Sequence, residues 1–300
     1  MSVLTRIASA RILSIKIKEA EMSSIRISAL CAAALFGVSA CGGGSGSGST
    51  PVDQARSATT ISTENSVHAA EASVSRNADG RILLSITEGP MEGVNVFCED
   101  ESLGTCQVVG GPSDTTGDGT LLNRYYGQFA FVGNFSIMQL MNGEKQSSTQ
   151  LVHGANPDVG GTDVTLPEGV HTYTGRFAAG VGLADGPSGL VEGKTSLAAD
   201  FNTAVLGGSF SGGFDDEDKT SVTASFNNVT INASNGQFTA TDETLILFQG
   251  EEAWGDIDGA FYGPNATEAA GIFSFGNDET GGMSGVFLAC QGVSASCIKE

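Results

Sequence analysis

Positive charge is scarce in this 300-residue chain: 14 Lys and Arg stand against 34 Asp and Glu, a formal net charge of −20. Such a surface repels nucleic acid and anionic membrane surfaces, so neither is a partner on charge grounds. Acidity of this kind steers a basic partner or serves plain solubility. Histidine is also scarce, with only His68, His153 and His171. There is no G-x-S-x-G elbow and no H-E-x-x-H helix, so no enzyme activity is expected and no catalytic residue is assigned. The acidic run Asp215-Asp216-Glu217-Asp218 lacks the ligand spacing of an EF-hand and reads as a solvated loop tip, so no metal site is assigned. No long segment carries a 3.6-residue apolar period, which leaves little room for helices.

The one apolar run near the N-terminus, Ile27 to Val38, is about a dozen residues, too short to cross a bilayer core of roughly 30 Å as a helix. It follows a basic stretch (Arg6, Arg11, Lys16, Lys18, Arg26) and ends in Val38-Ser39-Ala40-Cys41. Small residues before a cysteine form a lipoprotein signal, so residues 1–40 are expected to be cleaved and Cys41 lipidated. Several acyl chains on one residue give stable membrane attachment where a single chain is marginal. The Gly/Ser run from Gly42 to Ser49 reads as a flexible tether, and residues 41–65 are assigned to it. Gly42 after the cysteine points to the outer membrane. Removing residues 1–40 takes away five of the 14 basic and two of the 34 acidic residues, leaving nine against 32, or −23.

Of six cysteines, Cys31 lies in the signal and Cys41 carries the lipid. Cys98, Cys106, Cys290 and Cys297 remain, and in an oxidising compartment four cysteines allow three pairings. Local pairing, Cys98 with Cys106 and Cys290 with Cys297, is the simplest because each closes a small loop. The alternative, a zinc site, finds no common knuckle spacing here.

Two regions follow the tether. Residues 66–165 carry short, irregular apolar segments, among them Ile82–Ile86, Asn95–Cys98, Thr105–Val109, Tyr125–Phe131 and Ile137–Met141, and read as a small N-terminal β domain. Asn142-Gly143 is a hairpin turn signal. Residues 166–300 are more regular, with eight strands expected at 170–177, 188–201, 203–213, 220–231, 236–240, 252–262, 265–275 and 281–289. The connections are short enough for an antiparallel, up-and-down, eight-stranded barrel. The fold class is therefore all-β.

A small repeat supports the barrel. Gly-x-Phe occurs at Gly175/Phe177, Gly208/Phe210, Gly212/Phe214, Gly236/Phe238, Gly259/Phe261, Gly271/Phe273 and Gly285/Phe287. Residues two apart share a strand face, so each repeat sets a ring beside a position with no side chain. Glycine alone weakens a strand, and ring packing in a closed barrel offsets that loss.

The stretch Gly259-Ala260-Phe261-Tyr262-Gly263-Pro264-Asn265-Ala266-Thr267-Glu268-Ala269-Ala270-Gly271-Ile272-Phe273 resembles the C-terminal barrel domain of transferrin-binding-protein-B-like surface lipoproteins. Gly193–Phe214 and the closing Gly285-Val286-Phe287-Leu288-Ala289 look like the same barrel, so the likeness spans roughly residues 166–290. The resemblance implies a handle-like domain over 66–165, display on the outer membrane, and capture of a ligand at the cell surface in iron or haem acquisition. It also implies an outer-membrane transporter as partner. Members of such a family catch host transferrin, haem or haemoglobin, complement regulators or other solutes, and this chain has one lobe. Rival roles are adhesion to a host protein without a cofactor and a purely structural envelope lipoprotein. Gly263-Pro264 reads as a turn, with Glu268 bonding that turn. If haem is the ligand, axial groups come from His, Met, Tyr or Cys in an apolar pocket. His153, Tyr125 and Tyr126, with Met138 and Met141 nearby, are the candidates in the N-terminal domain; His171, which shares a strand face with Tyr173, is a second site and fits a cap on the barrel end.

Overall fold

The structure is a computed structural model, and it describes residues 55–62, 67–77, 80–88, 92–98, 105–110, 116–141, 144–159, 164–292 and 298. The signal, Cys41 and Cys297 lie outside these residues. All extended segments pair antiparallel, and two rings of strands result.

The first ring comprises β1 (Ala55–Ser62), β2 (Val67–Arg76), β3 (Ile82–Glu88), β4 (Val94–Cys98), β5 (Thr105–Gly110), β6 (Thr116–Tyr126), β7 (Ala130–Met141) and β8 (Glu144–Ala155). Each pairs with the next and β8 returns to β1, which closes a barrel. The N-terminal domain is thus itself an eight-stranded barrel. Strict alternation drives it: Ile82, Leu84 and Ile86 on β3, and Val94, Val96 and Cys98 on β4, are buried while their neighbours are not. Cys98 lies directly opposite Cys106 and the two form a disulfide with Cα atoms 4.3 Å apart. Cys290 is also disulfide-bonded.

One expectation fails here. The sequence reads as tether over 41–65, yet β1 lies inside that segment and seals the ring against β2 and β8. Thr59, Thr60 and Ile61 are β-branched and suit a strand, but Ile61 is the one large apolar residue in Ala55–Ser62, so no alternation marks it. The partners that hold β1 come from elsewhere in the chain.

The second ring comprises β9 (Val170–Leu183), β10 (Ser188–Asp200), β11 (Val205–Gly213), β12 (Ser221–Ile231), β13 (Gln237–Thr239), β14 (Leu245–Phe248), β15 (Glu251–Tyr262), β16 (Glu268–Asn277) and β17 (Gly281–Gln291). Successive strands pair, β17 returns to β9, and the short β13 and β14 share the place between β12 and β15. The ring therefore has eight places filled by nine strands. The short strand β14 is not foreseen, because Leu245–Phe248 follows a Thr-Asp-Glu-Thr turn and spans only four residues.

The Gly-x-Phe repeats act across strands. In the β16–β17 register Gly271 faces Phe287 while Phe273 faces Gly285, so two copies interlock reciprocally. Phe177 lies opposite Gly193, and Phe238 opposite Gly259. A Cβ on Gly259 would stand 2.4 Å from the Phe238 ring, and one on Gly193 would stand 2.5 Å from the Phe177 ring. The ring lies over the bare backbone of the neighbouring strand, which offsets the missing side chain there. Phe210 sits at the centre of this packing, with ring centroids of Phe177, Phe226, Phe273, Phe275 and Phe287 at 4.4–6.1 Å. The interior is filled by side chains.

Candidate functional site at the junction of the two barrels

The outer faces of β7 and β8 pack on the outer faces of β15, β16 and β17. Ala130, Val132, Leu151 and Ala155 from the first barrel form one apolar cluster with Ala178, Ala260, Ala270, Ile272, Val286 and Leu288 from the second. Alanine recurs on both sides, which lets two sheets approach closely. Polar groups enter this contact at three places, and the sequence candidates fall on two of them.

At the first place, Glu268 at the start of β16 is buried, with 3 % of its surface exposed. Its carboxylate accepts backbone N–H bonds from Gln128 (2.7 Å) and Phe129 (2.9 Å), in the turn between β6 and β7, and from Ala130 (2.8 Å), which opens β7. This corrects the expectation that Glu268 bonds its own Gly263-Pro264 turn: its partner is a turn of the other barrel. Two glycines make the fit. A Cβ on Gly127 would stand 2.2 Å from a Glu268 carboxylate oxygen, and one on Gly263 (φ 75°) would stand 2.4 Å from the Phe129 ring. Asn156 completes the clasp by donating from Nδ2 to the Gly127 carbonyl at 2.8 Å, while its own N–H donates to the Phe129 carbonyl at 2.8 Å. Burial pushes the Glu268 carboxyl above the ordinary glutamate range, and the N–H groups of Phe129, Gln128 and Ala130 act against that rise.

At the second place, His153 on β8 is buried (1 % exposed). Its Nδ1 is 2.9 Å from the Tyr262 hydroxyl and its Nε2 is 3.5 Å from an Asp258 carboxylate oxygen. A carboxylate only accepts, so the tautomer that suits both contacts carries its proton on Nε2 and accepts the Tyr262 O–H at Nδ1.

At the third place, Tyr125 on β6 donates its O–H to the Phe177 carbonyl (3.4 Å), and the Arg176 guanidinium lies 5.5 Å from its ring centre. Burial, with a contribution from Glu192 opposed by Arg176, pushes the phenol up to about 12.

The remaining candidates lie apart. Tyr126, half-buried, packs its ring 5.0 Å from Phe131 on the first barrel. His171, near the start of β9, packs on Phe201 (5.7 Å), contacts the Glu168 carbonyl through Nε2 (2.9 Å) and touches Gln291 through Nδ1. Tyr173, two residues on, turns into the barrel and donates to the Ala266 carbonyl at 2.8 Å, and burial raises its phenol. The structure thus brings Tyr125 and His153 to one interface and leaves Tyr126 and His171 elsewhere. The side chains of Met138 and Met141 lie outside the described residues. Among the described residues no group of three or more His, Cys, Asp and Glu could hold a metal ion. Asp215 pairs with Lys219, and Asp216 accepts the Thr220 N–H, so that acidic turn is knit to itself. Reading the sequence alone misses Asn156, the place of Gly127 in the clasp and the partner of Glu268, since nothing local signals a bond between residues some 140 apart.

A family model described as the C-lobe and N-lobe beta barrels of Tf-binding protein B matches residues 126–291, more than half of the chain. The chain belongs to this family. The match begins at Tyr126, beside the turn that Glu268 clasps, and so takes in β7, β8 and the whole second barrel. Among solved structures, a transferrin-binding protein B double mutant from Haemophilus parasuis Hp5 is 18% identical, with a TM-score of 0.47, over 79% of this chain and 45% of that one. The isotype 1 protein from serogroup B Neisseria meningitidis is 17% identical, with a TM-score of 0.39, over 79% and 43%. A surface lipoprotein is 14% identical, with a TM-score of 0.36, over 78% and 98%. The chain spans about half the length of the first two of these solved proteins. Nothing among curated proteins matches it.

Proposed function

We propose that this protein is a lipid-anchored outer-membrane lipoprotein that binds a protein ligand at the cell surface in iron acquisition, passing its cargo to an outer-membrane transporter. The observation that carries this reading is the packed interior of the second barrel: Phe177, Phe210, Phe226, Phe238, Phe273 and Phe287 fill it. A barrel packed solid recognises through its outer faces and loops, as rigid scaffolds do, and a broad outer surface suits a protein better than a small solute. The family supports the same reading, since it is described by the barrels of a transferrin-binding protein. The Val38-Ser39-Ala40-Cys41 motif and the Gly/Ser run after it support the anchor.

Haem is the second reading. It has less support at Tyr125 and His153, whose polar atoms are turned to Phe177, Tyr262 and Asp258 within a closed apolar contact. His171 is the better-placed ligand, being half-buried at a barrel end. The test is a titration of the purified protein against iron-loaded transferrin and against haemin, for wild type and His171→Ala. Saturable binding of the protein carrier without a Soret shift is expected. A stoichiometric Soret shift lost in His171→Ala would replace the protein-ligand reading with haem capture. Proteolysis of intact cells checks surface display, since a chain facing the periplasm would be spared.

A further inference from the structure

The chain's single tryptophan stands outside both cores. Trp254 on β15 is 61 % exposed, although tryptophan is ordinarily well buried. It borders a trough of about 660 Å³ on the outer face of the second barrel, a size typical of small-ligand sites. The strand register lays out the floor in two rows. Trp254 faces Gly276 on β16, Gly276 faces Gly282 on β17, and Gly282 faces Gly182 on β9. The adjacent row holds Asp256, Ser274, Ser284 and Gly180 on the same four strands. One row further toward the first barrel stand Ile272, Val286 and Ala178, which are buried in the apolar junction. The trough thus opens where that cover ends.

Two of the floor glycines have no packing reason to be glycine. A Cβ on Gly276 or Gly282 would stand 3.0 or 2.8 Å from a carbonyl oxygen of the neighbouring strand. A Cβ on Gly180 or Gly182 would meet nothing within 4 Å, and neither backbone is left-handed. Glycine inside a strand weakens it and often marks a bulge, a tight bend or the close approach of a ligand. The register of β9 runs unbroken past both glycines on either side, which excludes a bulge. The bare floor beside an exposed indole is therefore space kept open.

We propose that this trough binds a neutral oligosaccharide. The negative face of an indole attracts the C–H groups that line one side of a sugar ring, and a floor without side chains lets that ring lie flat. Ser274 and Ser284 hold their Oγ atoms 2.8 Å apart. One hydroxyl donates to the other, which leaves the pair a proton to donate and lone pairs to accept, while the Asp256 carboxylate only accepts. Sugar hydroxyls both donate and accept, so they use this whole set, whereas a cation would use the acceptors alone. Asp256 and Asp278 in the lining repel anions. Three inter-strand steps of about 4.8 Å carry the Trp254 row across roughly 14 Å, the length of a short oligosaccharide rather than one ring. The site does not depend on capture of a protein ligand elsewhere on the molecule.

The test is a titration of the purified protein with maltotriose, mannotriose and chitotriose, and with triarginine as the basic alternative. Trp254 is the one tryptophan in the chain, so its emission reports the site directly, and calorimetry covers the variant that lacks it. A saturable change in emission with at least one saccharide is expected. Binding should weaken roughly tenfold or more in Trp254→Ala, which removes an exposed ring and leaves the core untouched. It should weaken as far in Gly182→Val, which fills the open floor. With no atom in the way, Gly182→Val is expected to melt no lower than wild type, whereas a glycine kept for a bend would make it melt lower. Ovalbumin with and without its N-glycan separates a protein-borne glycan, bound only in the first form, from a free one; either source supports the site. No saturable binding of any saccharide, a response to triarginine alone, full binding by either variant, or a lower melting temperature of Gly182→Val would overturn it.

Discussion

The core of the first barrel holds two phenylalanines, Phe131 and Phe135, among branched aliphatic side chains, whereas the core of the second holds ten. The two rings share a meander plan and solve the same packing problem differently. In the first, valine, leucine and isoleucine alternate along short strands and the Cys98–Cys106 disulfide staples β4 to β5. In the second, rings lie over glycines of the next strand. The difference teaches where each barrel is fragile: the second depends on a few large rings with exact partners, the first on many small contacts and one covalent bond.

The largest expected effect breaks the second barrel at its centre. Phe210→Ala removes a ring that touches five others and should cost about 3–5 kcal/mol, as large-to-small changes at buried aromatics do. Chemical denaturation would show it as a lowered midpoint. Next comes the contact between the barrels. Glu268→Ala orphans three backbone N–H groups and should cost about 3 kcal/mol or more, since each buried donor left unsatisfied costs roughly 1–3 kcal/mol. If the clasp unites the barrels, the variant should unfold in two transitions where wild type shows one, read by tryptophan fluorescence (Trp254 reports the second barrel) and by far-ultraviolet dichroism. Replacing Cys98 and Cys106 by serine opens a short loop, and loss of that closure should cost about 2–3 kcal/mol, confined to the first barrel. Gly259→Ala sharpens the comparison at the smallest scale. Its Cβ would meet the Phe238 ring and the Ala270 carbonyl at 2.4 Å, and overpacking of this kind costs about 1–3 kcal/mol.

Glu268 also predicts a pH dependence. Its folded carboxyl lies above the ordinary glutamate value, so between the two values the folded state binds more protons than the unfolded state. Its contribution to stability is fully present below the unfolded value of about 4.3 and declines as pH rises through the folded one. Melting curves across that interval should show the decline in wild type and not in Glu268→Gln.

The legibility of the sequence follows the same contrast. The second barrel can be read because Gly-x-Phe marks strand faces seven times, and seven of its nine strands overlap closely with the segments expected from it. The exceptions have physical causes. Leu245–Phe248 is too short to show a period, and β9 runs on through Ala178-Ala179-Gly180, where small residues blur the alternation. The first barrel was legible as β but not as a closed ring. Tyr125–Phe131 reads as one apolar run, although its middle, Gly127-Gln128-Phe129, is the turn that Glu268 holds. A turn stabilised by a distant carboxylate needs no turn residues beyond one glycine. Sequence marks candidate ligands by type rather than by neighbourhood, and only the packing of β8 and β6 on β15 and β9 makes His153 and Tyr125 interface residues. Glu268 reads in the sequence as bonding its own turn and instead bonds that of the other barrel, because the nearest turn in sequence is not the nearest in space.

One buried carboxylate, that of Glu268, couples two barrels into a single scaffold. Hydrogen–deuterium exchange of wild type and Glu268→Gln, followed at the Gln128, Phe129 and Ala130 amides, tests it most directly. Slow exchange in wild type is predicted, with sharply faster exchange at those three amides in the variant, spreading to the amides around Tyr125 and His153. Equal protection in the two proteins would contradict the clasp and leave the apolar contact alone as what joins the barrels.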